Sequence, residues 1–197
     1  MPPPAPRDNG RMRAVLVDAP ESLLEERRRL GIDKIDECWD GEWHIVNPPK
    51  HWHGRLNTDL LLALAPLARA VGLEPYGDAT GLFGAENNWR VPDQAYARPE
   101  DASEDGLTSA QLVVEIRSPG DESYQKLPFY ACRGVTEVLI IHQDRRFELH
   151  RLRGDEQYAV VEPDPDGTTA STVLPVGLQT VTGPALRVIW ASGLTEV

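Results

Sequence analysis

Hydrophobic and polar positions in residues 20–72 predict a short helix, a hairpin and a long helix. The short helix covers residues 20–30, with Pro20 at its first position and three arginines before Gly31. Polar and apolar residues then alternate on both sides of Asp40-Gly41, which is the pattern of a two-residue hairpin turn. The long helix has about 19 residues, contains Pro66 and is expected to kink there. Its apolar face comprises Leu56, Leu60, Leu64, Leu67 and Val71.

The rest of the chain predicts strands around one further helix. Residues 135–142 are nearly all apolar, which is typical of a buried central strand. The helix covers residues 121–133 and contains Pro128, which weakens its pattern. The other strands are residues 73–78, 81–84, 89–97, 112–117, 146–152 and 158–162, with short ones at 173–174, 178–181 and 186–190 that complete an edge or a second small sheet.

This order predicts an α/β (α+β) fold, in which helices flank a mixed sheet with additional hairpins. Residues 1–19, with four prolines in the first ten, are expected to form a disordered arm before a single domain at 20–197. The sequence contains no run of about 18 apolar residues, so it predicts no membrane-spanning helix. The N-terminus lacks the charged and then apolar pattern of a secretion signal, so we expect a cytoplasmic protein.

The amino-acid composition and the net charge exclude few classes of binding partner. Hydrophobic residues make up 41% of the chain and charged residues 26%, as in ordinary globular proteins. A net charge of −11 argues against strong non-specific binding of nucleic acid, although it leaves room for a local basic patch. Cys38 and Cys132 fit no metal-binding spacing, so both are expected to be reduced.

Two carboxylates stand out in the strand pattern. Glu115 lies in the middle of an apolar strand, where an unpaired carboxylate costs roughly several kcal/mol. Alternation places Glu115 and Arg117 on one face of this strand and Ile116 on the other. Asp93 follows Pro92 at a neighbouring strand. The plainer interpretation is that Glu115 and Arg117 pair with each other or with cross-strand partners and that Asp93 only terminates a strand.

These residues carry a resemblance to a known family. Pro92-Asp93 followed by Glu115-Ile116-Arg117 resembles the PD-(D/E)xK nuclease motif, except that Arg117 stands where well-known members have lysine. The surrounding sequence, over about residues 20–160, resembles one family of that superfamily, inferred restriction endonucleases of unknown target. The further matching residues are Glu37, Asp40, Gly41, Glu42, Pro48, Pro49, His53, Ser118, Pro119, Lys126, Tyr130, Gly134, Val135 and Glu137.

The resemblance implies a restriction-endonuclease-like fold, a homodimer and a Mg²⁺- or Mn²⁺-dependent endonuclease that acts on DNA. Asp93 and Glu115 would be the metal ligands, with the carbonyl of Ile116 as a third, because Mg²⁺ prefers hard oxygen atoms. Glu42 is our first choice for an additional acid and Glu37 our second. Arg117 holds the motif position, but a guanidinium is a poor general base.

Lys126 is therefore expected to replace the motif lysine. As a base, it would need its pKa lowered by burial near a cation. The ordinary alternative is a surface ion pair between Glu122 and Lys126, four residues apart on a helix. His51 and His53 could be metal ligands, but at a helix start they favour capping or core roles.

For the DNA contact we expect a local basic patch. Its members would be Arg145, Arg146, Arg151 and Arg153, with Arg133 as a further candidate. A second function stays open: a nuclease fold that binds or assembles but does not cleave. The acidic net charge and Arg117 favour that alternative, whereas Asp93, Glu115 and Lys126 favour the nuclease.

Overall fold

The protein is described by a computed structural model for residues 14–46, 48–118, 120–154, 156–183 and 185–197. Residues 1–13 of the expected arm lie outside this range. Residues 14–16 do not belong to an arm, because they form strand β1 (Ala14–Leu16), which pairs antiparallel with β3 (Glu42–Ile45). The ordered fold thus begins before the predicted boundary at residue 20.

The N-terminal elements follow the sequence pattern closely. Helix α1 (Glu21–Leu30) ends at Gly31, whose φ of 66° is the left-handed conformation that favours glycine. Strand β2 (Glu37–Trp39) pairs with β3 across the predicted Asp40-Gly41 turn. Helix α2 (His51–Ala70) runs through Pro66, whose side chain is exposed. Water can therefore satisfy the carbonyl that proline leaves without a donor.

A five-stranded sheet contains these hairpin strands in the order β1-β3-β2-β6-β5. Strands β5 (Leu82–Phe83) and β6 (Trp89–Arg90) complete it, after β4 (Glu74–Tyr76) in the chain. The predicted single strand at 89–97 is wrong, because it breaks at Val91–Asp93 and continues as β7 (Gln94–Ala97) in another sheet. Pro92 lacks the amide hydrogen that a continuous strand would need.

The central sheet has six strands in the order β11-β10-β9-β8-β7-β4. Strands β8 and β9 lie in its middle and pair in parallel, so a crossover must connect them. That crossover is not the predicted helix at 121–133 but a 3-10 turn (Ser123–Lys126) followed by α3 (Leu127–Cys132), since Pro128 is tolerated in a first helical turn. The strands concerned are β8 (Leu112–Arg117), β9 (Glu137–His142), β10 (Phe147–Leu152) and β11 (Tyr158–Val160).

Two apolar cores cover the two faces of the central sheet. Val114 and Ile116 face a core with the leucines of α2 and the last sheet, whereas Val113 faces Tyr130 of α3 and Leu82 of the five-stranded sheet. The last sheet has the order β12-β13-β14-β15 and confirms the predicted second small sheet. Its strands are β12 (Thr169–Ala170), β13 (Gly177–Val181), β14 (Ala185–Trp190) and β15 (Gly193–Glu196).

The predicted mixed α+β architecture is confirmed. Across the described ranges, no helix combines the length and the apolar character needed to cross a membrane.

Candidate functional site

Glu115 lies at the centre of the site, on the face of β8 that meets α3. Glu115 is only 4% exposed to solvent. Oε1 accepts a hydrogen bond from the Tyr130 hydroxyl, and the Lys126 Nζ lies 3.0 Å from Oε1 and 3.2 Å from Oε2. The buried carboxylate is therefore paired with a lysine from the crossover and not with Arg117.

Lys126 connects Glu115 to a second buried carboxylate. Its Nζ lies 2.7 Å from Oε1 of Glu37, which stands on β2 and is 2% exposed. Glu37 also accepts hydrogen bonds from the Val91 amide at 2.9 Å and from the Trp39 indole at 2.8 Å. One ammonium group thus bridges an acid of the five-stranded sheet and an acid of the central sheet.

The site shifts the pKa values of both partners upward. Burial is the main cause that raises the pKa of Glu115 to about 7, and the nearby carboxylates of Asp93 and Glu37 add to it. Lys126 and Tyr130 oppose this shift. Burial alone would lower the pKa of Lys126, but attraction to Glu115 and Glu37 outweighs it and raises the value. Lys126 therefore favours its charged form beside these carboxylates, which is the opposite direction from the lowered pKa that a general base needs.

Asp93 lies at the break between the two sheets. Its Oδ2 accepts a hydrogen bond of 2.6 Å from the amide of Ile116, the residue after Glu115. Because the amide and carbonyl of one strand residue point to the same side, the Ile116 carbonyl lies on the same side of β8 as this amide. The Asp93 carboxylate contributes to the raised pKa of Glu115, so the two acids lie close enough for their charges to interact.

Helix α2 holds Asp93 from the other side. The Nε2 of His53 is 3.3 Å from Asp93 Oδ1, and the Asn57 amide donates to the Asp93 carbonyl at 3.4 Å. Gln94 donates in turn to the side chain of Asn57 at 2.7 Å. His53 is buried and supports Asp93, whereas His51 is exposed. The spacing of His53 and Asn57, four residues apart on one helix face, was the signal that sequence analysis missed.

The hairpin supplies Glu37 and not Glu42. Glu42 is exposed next to the turn, where it pairs with Trp39 in the strand register. Our first choice for the additional acid is thus replaced by our second. Glu37 pairs with His44 and Glu42 with Trp39, so both acids lie on the same face of the ribbon, and they differ in their distance from the turn, which alternation does not reveal.

Arg90 fixes this hairpin against α3. It is buried, with its guanidinium carbon 4.3 Å from the ring centres of both Trp39 and Phe129. Its Nη1 donates to the carbonyl of Cys38 at 2.9 Å. A cation between two aromatic faces stabilises their approach. Arg90 therefore helps to place the strand that carries Glu37, although no sequence pattern had singled it out.

Arg117 shares the face of Glu115 but turns toward the following loop. It is partly exposed, with Nε 3.4 Å from Asp121 Oδ1 and the guanidinium carbon 4.9 Å from the Tyr124 ring centre. Among the described residues it has no ion pair with Glu115. Arg117 therefore lies at the edge of the site, and the plainer interpretation in which it pairs with Glu115 does not match the structure.

A second polar group lies beside Arg117. The Tyr124 hydroxyl donates to Glu148 Oε1 at 2.5 Å, and Nε2 of His142 lies 3.4 Å from the same oxygen. Nε2 of His150 is 3.1 Å from Glu148 Oε2. Burial, followed by the bond to Glu148, raises the pKa of Tyr124 to about 12, so its hydroxyl stays protonated. No sequence pattern assigned a role to these four residues, because Tyr124 comes from the 3-10 turn and the other three come from β9 and β10.

The expected basic patch is largely engaged in other contacts. Arg151 pairs with buried Glu137 at 2.8 Å, and Arg146 pairs with exposed Asp144 at 2.7 Å. Arg145 donates to the Gln143 carbonyl, and Arg133 donates to that of Thr108. Arg153 is exposed.

The oxygen donors fit a hard divalent cation. Mg²⁺ is usually held by one or two carboxylates with several waters, and Asp93, Glu115 and the Ile116 carbonyl offer such a set. In the part of the chain that the structure describes, no three His, Cys, Asp or Glu residues are grouped as ligands for a metal ion. Lys126 supplies the positive charge between Glu37 and Glu115.

The chain is similar to a known protein family and to a solved nuclease-like structure. Residues 24–187 match the family model Uma2, described as "Putative restriction endonuclease". A crystal structure from Anabaena variabilis, described as a "putative nuclease belonging to DUF820", is 17% identical with a TM-score of 0.54, over 69% of this chain and 80% of that one. Its likeness supports a restriction-endonuclease-like fold.

A second solved structure is more distant. The cryo-EM structure of a DrdV–DNA complex is 10% identical with a TM-score of 0.31, and it covers 55% of this chain and 12% of that one. The search of curated proteins found no match.

Proposed function

Because the chain belongs to the Uma2 family of restriction-endonuclease-like proteins, we propose that it is a divalent-metal-dependent endonuclease that hydrolyses phosphodiester bonds of DNA. The observation that carries the proposal is the buried Glu115, bridged to Glu37 by Lys126 and adjacent to Asp93. A carboxylate with a pKa raised by burial and by neighbouring acids is typical of a functional site.

Asp93, Glu115 and the carbonyl of Ile116 are the proposed ligands of Mg²⁺ or Mn²⁺, with Glu37 as an additional acid. When bound, the metal would neutralise charge on the phosphate and activate a water molecule. Asp93 is oriented for this purpose by the Ile116 amide and by His53, which hold one carboxylate oxygen each. Glu115 is oriented by the Tyr130 hydroxyl.

Lys126 is the proposed catalytic cation. Its Nζ keeps its protons next to two carboxylates, so it donates hydrogen bonds and does not act as the base. In that form it can orient the attacking water and stabilise negative charge that develops on the phosphate. It thereby takes the place of the lysine of the PD-(D/E)xK motif, which is Arg117 here.

DNA is the proposed substrate despite the net charge of −11. Contacts would be local and directed at phosphates, so affinity should fall steeply with salt. Arg146 and Arg153 are exposed, immediately before and immediately after β10, and are the candidates for this contact. A homodimer would present two such sites, one for each strand of a duplex, and sedimentation of the purified protein would test it.

The first test is cleavage of plasmid and oligonucleotide DNA with Mg²⁺ and with Mn²⁺. We expect cleavage by the wild type and a loss of about 10²-fold or more in Glu115→Gln, the size typical for one positioned electrostatic group. Glu100→Gln, which changes an exposed acid, serves as the control and should cleave normally. Equal rates in both variants would contradict the assignment of Glu115.

The second candidate function is a nuclease-fold module that binds or assembles without cleavage. It is favoured by Lys126, which already compensates the charge of the two buried acids. No cleavage with either metal, together with no heat of Mn²⁺ binding in calorimetry, would support this module and overturn the nuclease.

A further inference from the structure

We propose that Arg117 binds a second phosphate of the substrate, adjacent to the phosphate that is held at Glu115. The guanidinium stacks on the ring of Tyr124, and His142 is a neighbouring hydrogen-bond donor. This inference rests on the proposed function and adds a second subsite to it. The ligand class is a phosphodiester strand, or a nucleotide with a terminal phosphate.

The position of Arg117 follows from strand geometry. Residues two apart on a strand project from the same face and are about 6.8 Å apart. Arg117 is therefore displaced from Glu115 along β8, toward the open end of the site. The parallel register places His142 of β9 directly beside Arg117. Two side chains that can donate hydrogen bonds thus stand side by side beyond the acids.

The guanidinium has unused donor capacity. The Arg117 side chain is 31% exposed although its Nε is buried, and within the described ranges its guanidinium makes no hydrogen bond. Its nearest carboxylate, Asp121, lies at 3.4 Å and is already occupied by the Ser118 amide and by the amide and hydroxyl of Ser123. A planar fork of donors that the protein itself leaves incomplete suits a phosphate group.

Tyr124 is held rigidly under the guanidinium. Its hydroxyl donates to Glu148, which also contacts His142 and His150. The charge of Glu148 is therefore met by three neighbours, and its evident effect is to fix the ring. A cation stacked on a fixed aromatic face is preorganised, so less entropy is lost when a phosphate binds.

Charge also distinguishes Arg117 from Arg146 and Arg151. Arg151 and Arg146 have carboxylate partners at 2.8 and 2.7 Å, whereas Arg117 has only the longer contact to Asp121. A strand that enters an acidic site in a protein of net charge −11 needs a nearby cation. Arg117 is the next cationic side chain on the strand that carries Glu115.

The test compares thymidine dinucleotides with and without one added terminal phosphate. Binding is measured by calorimetry in Ca²⁺ at low salt, with the 5′- and the 3′-phosphorylated forms in separate titrations. We expect one of the two phosphates to tighten binding by about tenfold, as for hydrogen bonds to a charged group. Arg117→Ala should abolish that gain while it leaves binding of the unphosphorylated dinucleotide within about twofold.

Arg98→Ala is the matched control. It removes an exposed arginine that follows β7, at the end of the strand away from Asp93. It should keep the full gain. His142→Gln should reduce the gain in part, since it removes the neighbouring donor. The measured quantity is the gain in affinity from one added phosphate. A general loss of folding would instead weaken the binding of both dinucleotides.

Three results would overturn the inference. The first is a wild type that binds the dinucleotide but gains nothing from either phosphate, and the second is an equal loss in Arg117→Ala and Arg98→Ala. In both cases the nuclease proposal survives. The third is a wild type that binds no dinucleotide at all, which overturns the subsite and counts against the nuclease as well.

Discussion

Glu115 and Glu137 are buried acids on the two parallel strands in the middle of the central sheet, yet their surroundings differ. Glu137 accepts hydrogen bonds from the guanidinium of Arg151 at 2.8 Å, from the Ser171 hydroxyl at 2.5 Å and from the Thr172 amide and hydroxyl at 3.0 and 2.9 Å. Glu115 is held by only Lys126 and Tyr130 among the described residues.

The difference separates a structural acid from a chemical one. Glu137 has a permanently charged partner and neutral donors, and together they attach the segment before β13 to β9 and β10. Glu115 has one charged partner, Lys126, which it shares with Glu37, and the carboxylate of Asp93 adds a further negative charge nearby. Burial is therefore compensated completely at Glu137 and incompletely at Glu115, and a bound cation can complete only the second.

The largest expected effect comes from the structural acid. Glu137→Ala should lower the free energy of unfolding by about 3–5 kcal/mol, because it leaves Arg151 without its partner and the hydroxyls of Ser171 and Thr172 without an acceptor. Urea unfolding followed by circular dichroism measures this loss. A loss below about 1 kcal/mol would show that Glu137 is not a structural anchor.

The pH dependence of Glu115 comes next. Its pKa is raised to about 7 in the fold from an ordinary value near 4.5, so the folded state retains the proton over that interval. The contribution of Glu115 to stability should be fully present below pH 4.5 and be lost as the pH rises through about 7, with a loss of about 3 kcal/mol at most. The measurement is the difference in unfolding free energy between the wild type and Glu115→Gln across this range, in EDTA. A difference independent of pH would contradict it.

A smaller effect is expected when the bridging ammonium is removed. Lys126→Met should destabilise the metal-free protein by about 2 kcal/mol, since Glu115 and Glu37 lose their common partner. Mn²⁺ should then raise the melting temperature of the variant more than that of the wild type. The control is Lys34→Met at an exposed position. An identical Mn²⁺ response in all three proteins would refute the idea that Lys126 and the metal share these acids.

Much of the fold was predictable because local patterns decided it. The apolar run of β8 matches residues 112–117 as observed, and Asp40-Gly41 forms the expected hairpin turn. The interruption at Pro92 was not predicted, since the flanking residues alternate as one strand. That interruption depends on which sheet each half joins, and this is settled by packing between distant segments.

The site was predictable to a similar degree. The motif placed Asp93 and Glu115 together, and the second choice, Glu37, was the acid that contacts Lys126. The group around Glu148 could not be predicted, because Tyr124 and His142 reach it from separate elements of the chain. Such contacts depend on the three-dimensional register of β9 and β10, which leaves no local signal in the sequence.

The bridge from Glu37 through Lys126 to Glu115 has a consequence for how this protein can change during evolution or in directed selection. The same three residues connect the hairpin to the central sheet and supply the proposed chemistry. Apolar replacements can match or exceed the stability of a buried ionic group, so a selection for heat resistance alone would tend to discard this one. Libraries screened for robustness should therefore hold these three positions constant, or they will enrich durable proteins that have lost the site.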